Sequence, residues 1–257
     1  MERNVRDEAI ILRVRRMAEI HASVLLVCRE QGLLRAVAHG VHSARGRLRG
    51  LVSLYARGDA WFYVNPVSAQ VKLNDFAVVD YHQGIRESLA RIAVAAVWAE
   101  SVEKSLGAGQ DPRLYDLLST GLQCLATADD AAARRLFVQF IWRYLALSGD
   151  QPDLEEDVIR GGRIPAGAAR AYRPSAAGFT RVDSDSQEGR ALQLSPAARD
   201  YLRVSEALGI DESMEELIDD IDLRGLANTL LRVLRVQIDG PLNSASSLAA
   251  YLGQPSA

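Results

Sequence analysis

Residues 8–41 read EAIILRVRRMAEIHASVLLVCREQGLLRAVAHGV. Three short runs rich in Val, Leu and Ile, "EAIILRVRR", "ASVLLVCRE" and "LLRAVAHGV", are parted by brief polar breaks, the second at Gln31-Gly32. Such runs, bounded by glycine turns, read as β-strands. Two more follow, "LRGLVSLYARGDAWFYV" and "AQVKLNDFAVVD". Five strands within residues 1–80 predict a small closed or partly closed barrel. In the fourth run, imperfect alternation turns Leu48, Leu51 and Leu54 toward a core and Arg47 and Arg49 toward water. Gly58-Asp59 marks a kink or turn within that run.

The period changes near residue 83. "GIRESLARIAVAAVWAESVEKSL" places Ile85, Leu89, Ile92, Ala96 and Ala99 at helical spacing. "PRLYDLLSTGLQCLA" starts on Pro112, suited to a first helical turn. "DDAAARRLFVQFIWRYLALSG" opens with Asp129 or Asp130 as N-cap and closes at Gly149. Residues 150–193 are rich in Gly, Pro, Asp and Ser and predict an irregular insertion with one short hairpin within 177–194. Helices resume with Ser195 as cap and Pro196 in the first position, continue in an amphipathic segment ending at Gly240, and finish with "SASSLAAYL". The expected fold class is α+β, a five-stranded barrel over 1–80 followed by a mainly α-helical domain over 81–257.

The chain has 257 residues, 48% hydrophobic, with a formal net charge of −3. That figure conceals an asymmetry: residues 1–80 carry 12 Lys/Arg against 8 Asp/Glu, the remainder 18 against 25. From Arg35 to Arg57, both included, there are five arginines and no acid. No apolar run approaches a membrane span, and the charged N-terminus lacks the apolar stretch of a signal peptide; the expectation is a cytoplasmic protein with no membrane partner. Cys28 and Cys124 lie far apart and outside any CxxC pair, so both read as apolar fillers.

Signatures of catalysis are missing: no GxGxxG, Walker loop or HExxH occurs. His39 and His42 form an HxxH pair with only Cys28 as a further ligand within reach, too few for a metal site. The carboxylates Asp153, Glu155, Glu156 and Asp157 lack Ca²⁺-loop spacing and read as a solvated acidic loop. "DESMEELIDDID" reads as a charged helix face or linker. Neither a metal, a cofactor nor an enzyme activity is expected. The arginine segment "HGVHSARGRLRGL" remains. Alternate arginines on an exposed strand can line up with a phosphate backbone, or can guard a sheet edge against pairing. Small five-stranded barrels that bind oligonucleotides across one face favour the first reading. The aromatics available for stacking are Tyr55, Trp61, Phe62 and Tyr63, although alternation sends some of them into the core.

The segment from Ala9 through "VSLY" resembles the opening of the RecO family of bacterial recombination mediators, in Glu19, "CREQG", "AHGVHSARGRLRG" and "LVSLY". The resemblance continues through "AVWAESVEKSLGAGQDPRLYDLLSTGLQCLA" and "ARRLFVQFIWRYLALSGDQPDL", fades after 155 and returns weakly at "LRVQIDGPLNSASSLAAYL". It implies an N-terminal OB barrel, then a helical domain. It implies a protein that binds single- and double-stranded DNA, anneals strands, works with RecR, and helps RecA displace single-stranded DNA-binding protein (SSB) at the nucleoid. On this reading Arg35, His42, Arg45, Arg47, Arg49 and Arg57 contact DNA, and Tyr55, Trp61 and Tyr63 stack on bases. Arg134 and Arg135 match a basic pair near a pocket for the acidic, Phe-ended tail of SSB; an ordinary solvated pair is the alternative. Many relatives carry zinc-binding cysteines after "SGDQPDL"; this chain has none there, which implies loss of the metal. The competing functional reading is a protein-interaction scaffold with little DNA affinity.

Overall fold

The computed structural model describes residues 4–106, 109–182, 193–213, 216–238 and 240–252. The five runs form β1 (Asn4–Met17), β2 (His21–Cys28), β3 (Gly32–Ala38), β4 (Arg57–Val64) and β5 (Val71–Asp80). They close a barrel in the order β1-β2-β3-β5-β4, with β4 returning antiparallel to β1. Only β3 and β5 run parallel, pairing Ala36–Ala38 with Val71–Leu73. This is the OB topology. Alternate residues fill the interior: Ala9, Ile11, Ala22, Val24, Leu26, Ala60, Phe62, Leu73 and Phe76 are buried together. Small alanines opposite aromatic rings suit the narrow lumen of a five-stranded barrel.

The fourth run departs from expectation. Its strand begins only at Arg57, and residues 39–56 form a succession of tight turns. Hydrogen bonds link Ser43 N–H to Gly40 O, Gly46 N–H to Ser43 O, and Arg49 N–H to Gly46 O. Glycine is the reason: Gly40 and Gly50 hold φ of +72° and +77°, left-handed values that favour glycine. A Cβ at Gly46 would lie 1.8 Å from Gly40 O. Leu48 does enter the barrel core, but Leu51 is half-buried and Leu54 is exposed. Gly58 sits within β4 beside a register shift, where a Cβ would meet Ala77 O at 2.1 Å.

The chain packs as two units, Met1–Gly84 with Val102–Ala126, and Ile85–Ser101 with Thr127–Ala257. In the first, α2 (Pro112–Thr127) and the last turn of α1 (Leu89–Leu106) accompany the barrel. Ile10, Leu12, Leu25 and Val27 are buried although they lie outside the barrel's core cluster. Ion pairs Arg13–Glu103 and Arg29–Asp116 tie β1 and the end of β2 to these helices. One side of the barrel is thereby covered.

The second unit centres on α3 (Asp130–Ser148), a helix buried almost all round, including Leu136, Phe137, Phe140, Ile141 and Trp142. Asp129 caps it by accepting from Ala132 N–H, and Gly149 ends it in the left-handed region, as the sequence predicts. Around it lie α4 (Pro196–Glu206), capped by Ser195, the single turn α5 (Ile210–Ser213), α6 (Asp220–Gln237) and α7 (Ala245–Leu252). Trp98 of α1 stacks on Phe140 with centroids 4.3 Å apart. The apolar stripe expected on α1 is rotated: Leu89 and Ile92 are exposed, while Ala90, Ala93, Val94, Val97 and Trp98 are buried. Ile85 is buried in a separate 3₁₀ turn over Gln83–Glu87, ahead of the helix.

The insertion is more ordered than its composition suggests. β6 (Arg170–Arg173) and β7 (Gly178–Arg181) form a hairpin, joined on the other side by β8 (Gln193–Leu194). β7 and β8 fall within the 177–194 segment expected to form a hairpin, but each pairs with β6 upstream of it, and residues 183–192 lie outside the described residues. Its acidic run is solvated only in part: Asp153 and Glu156 are exposed, while Glu155 is half-buried and Asp157 buried. Asp157 is 5% exposed and accepts from Ile159, Arg160 and Arg181 N–H and from the Thr180 hydroxyl. Burial alone would raise its pKa; those donors outweigh it and bring the value down to about 2. Glu155 pairs with Arg199 at 2.6 Å and neighbours Arg163 and Arg203. Arg170, wholly buried, donates to the carbonyls of Leu154, Pro165 and Ala168. Among the described residues no group of three or more His, Cys, Asp or Glu is placed to hold a metal ion.

Candidate nucleic-acid interface

The turns of residues 39–56 hold Arg45, Arg47 and Arg49 outward, all exposed. Arg49 donates to Ala44 O at 3.0 Å. Arg47 reaches Asp75 of β5, yet its side chain stays 74% exposed. Among the described residues Arg45 and Arg49 pair with no carboxylate. His42 is exposed beside them, and its N–H donates to Ile20 O, tying these turns to the β1–β2 connection. Arg35 projects from β3 and is also exposed. His39 pairs edge-to-face with His21 at 4.7 Å rather than with His42. Partial burial, then His21 and Lys72, hold its pKa below the usual histidine value.

The outer row of β4 meets that of β1 and β5. Trp61 lies opposite Arg6 and Asp75, and Tyr63 opposite Asn4 and Lys72. Both rings are half-buried. The Arg6 guanidinium stands 5.3 Å from the Trp61 ring centroid and pairs with Asp59, a cation–π arrangement. Phe62 points into the core at 1% exposure. Tyr55 must be withdrawn from the stacking set: it is 6% exposed, its carbonyl contacts His82 Nδ1, and burial pushes its phenol pKa up to about 12. Arg57 also stands apart. It is half-buried at the start of β4, beside Glu8, Asp59 and Tyr115, with Nε unpartnered.

The register adds cations that the sequence reading passed over. Arg6 sits among acids in the chain, and Lys72 is isolated there; only strand pairing brings them beside Trp61 and Tyr63. The only signal available was the alternation of Trp61 and Tyr63 about Phe62.

A second feature lies in the helical unit. Arg134, with its side chain 18% exposed, lines a pocket of about 50 Å³ with Ala90, Val94, Asp130, Ala133, Leu248 and Tyr251. Its Nη1 meets Asp220 Oδ1 at 2.5 Å, Nη2 donates to Tyr251 O at 3.3 Å, and Nε is buried without a partner among the described residues. Arg135 is half-buried and does not line the pocket. Among the described residues no helix is long and apolar enough to cross a membrane.

Two family models match this chain: "Recombination protein O N terminal" over residues 1–82 and "Recombination protein O C terminal" over residues 86–246. The chain belongs to the RecO family. Similar curated proteins named DNA repair protein RecO include one from Rubrobacter xylanophilus, 26% identical over 96% of both chains. Another, from Bifidobacterium longum, is 27% identical over 84% of this chain and 91% of its own. A third, from Gloeobacter violaceus, is 26% identical over 95% of this chain and 92% of its own. The N-terminal RecO match spans the barrel and its arginine-bearing turns; the C-terminal match spans the Arg134 pocket as far as residue 246 and the insertion with its Asp157 and Arg170.

Proposed function

We propose that this RecO protein is a non-catalytic DNA-binding mediator of recombinational repair. It anneals complementary strands and, with RecR, helps load RecA onto single strands coated by SSB. The observation that carries the proposal is the set of exposed arginines on the barrel, Arg35, Arg45, Arg47 and Arg49, joined by Arg6 and the half-buried Lys72 next to Trp61 and Tyr63. Guanidinium groups there neutralise phosphates on two strands at once and lower the repulsion that keeps the strands apart. Trp61 and Tyr63 supply ring faces for unpaired bases. The 1–80 segment is the DNA-binding domain in this scheme. Arg134 and its apolar walls suit a peptide with carboxylates followed by an aromatic ring, the chemistry of an SSB tail.

The test is a titration of labelled single- and double-stranded oligonucleotides at several salt concentrations. Replacing Arg45, Arg47 and Arg49 with alanine is expected to weaken single-strand binding and to reduce the log–log salt slope by about 2, roughly 0.7 per lost phosphate contact. Unchanged affinity and slope would refute the interface. Absence of any wild-type binding at low salt would favour the scaffold reading.

A further inference from the structure

We infer that Asp220 is a built-in competitor for the Arg134 guanidinium, so that an acidic peptide enters the pocket by exchanging its carboxylate for that of Asp220. The inference rests on the peptide-binding reading of this pocket.

Three features point to exchange rather than a fixed brace. First, the two partners are unequal. The Arg134 side chain is 18% exposed and that of Asp220 is 55% exposed. A guanidinium so enclosed needs a carboxylate close by, because water reaches few of its donors. The Asp220 carboxylate is well hydrated and loses little by leaving. Second, Asp220 has somewhere to go. It also pairs with Arg224 one helical turn on, at 2.7 Å, and sits in the first turn of α6, where the helix dipole favours an anion. Third, Arg134 stays oriented when the exchange occurs. Nη2 remains on Tyr251 O, and Nε is buried with no partner among the described residues.

The pocket itself sets the order of events. Ala90, Val94, Ala133 and Leu248 offer an apolar slot for a ring, while Asp130, held by the Ser88 hydroxyl, adds a second negative charge at the wall. Both carboxylates oppose an acidic ligand. Of these two carboxylates Asp220 is the one that touches the cation the ligand requires, so its removal frees a guanidinium nitrogen.

The experiment uses the full chain and a fluorescein-labelled peptide of four aspartates ending in phenylalanine, read by anisotropy at fixed ionic strength. Asp220→Asn is expected to tighten binding by at least about threefold, the scale of a released surface ion pair together with a removed like charge. Asp130→Asn is expected to change it less. In an Arg134→Lys background the Asp220→Asn gain should shrink markedly, since the fork that both carboxylates share is gone. If the wild type binds in an Arg134-dependent way and Asp220→Asn leaves affinity unchanged or weakens it, the exchange is wrong while the pocket stands. Gains of equal size from Asp130→Asn and Asp220→Asn would reduce the effect to general charge and overturn the exchange. If no variant binds, the pocket reading falls and the inference with it. Matching thermal midpoints for wild type and Asp220→Asn would show that the fold is retained.

Discussion

Arg45 and Arg170 are the same residue in opposite surroundings, one fully solvated on a tight turn, the other wholly buried among backbone carbonyls. The first can lend its charge to a ligand; the second is spent on the fold. Tyr55 and Trp61 divide in the same way. Trp61→Ala is expected to weaken single-strand binding about five- to tenfold, the loss of one stacked base, whereas Tyr55→Phe should leave the oligonucleotide titration unchanged. Asp157 shows what a buried carboxylate does when both oxygens accept hydrogen bonds, three on Oδ1 and one on Oδ2. Asp157→Ala is expected to cost about 2–3 kcal/mol in a urea melt, because its N–H and hydroxyl donors are left unmet. Its folded pKa, near 2, lies below the ordinary value of 3.8. A depressed folded pKa contributes stability that is complete above about pH 4 and fades as the pH falls toward 2. Wild type should lose that increment in acid, and Asp157→Asn should show a flatter profile there.

At the level of elements, the turns of residues 39–56 decide whether the arginines form a surface. Gly46 packs against Gly40 with no room for a side chain. Gly46→Ala should therefore lower the thermal midpoint and weaken DNA binding together, although alanine adds no charge. The last helix shows a different dependence. Glu100 of α1 accepts from the N–H groups of Asn243 and Ser244 and from the Ser244 hydroxyl, closing the start of α7 from a distance. Glu100→Ala is expected to cost about 1 kcal/mol, as loss of a helix cap does, and to raise amide exchange over residues 243–252. Since α7 supplies Leu248 and Tyr251 to the Arg134 pocket, peptide binding should weaken in the same variant.

At the level of the molecule, two compact units use different means of holding irregular chain. The barrel relies on closure and a lumen of alternating side chains. The helical unit holds its insertion with Asp157, Arg170 and the Glu155–Arg199 pair. A chelator such as EDTA should thus leave the thermal midpoint of the whole protein unchanged; a drop that added zinc restored would contradict this account of the insertion.

The residues alone determined the five strands of the barrel in chain order, because alternation and glycine punctuation are local. They determined the bounds of α3, whose caps Asp129 and Gly149 act on their own helix ends. They also determined that the positive charge gathers between Arg35 and Arg57. The tertiary structure decided the rest. A run of glycines permits strand or turn equally, so only packing at Gly46 broke the fourth run before Arg57. Helical period does not state which stripe faces inward when nearly every side is apolar, so Trp98 against Phe140 chose the face of α1. Arg6 beside Trp61 and Asp220 against Arg134 join residues that are distant in the chain, and spacing along a sequence carries no information about partners brought together by folding.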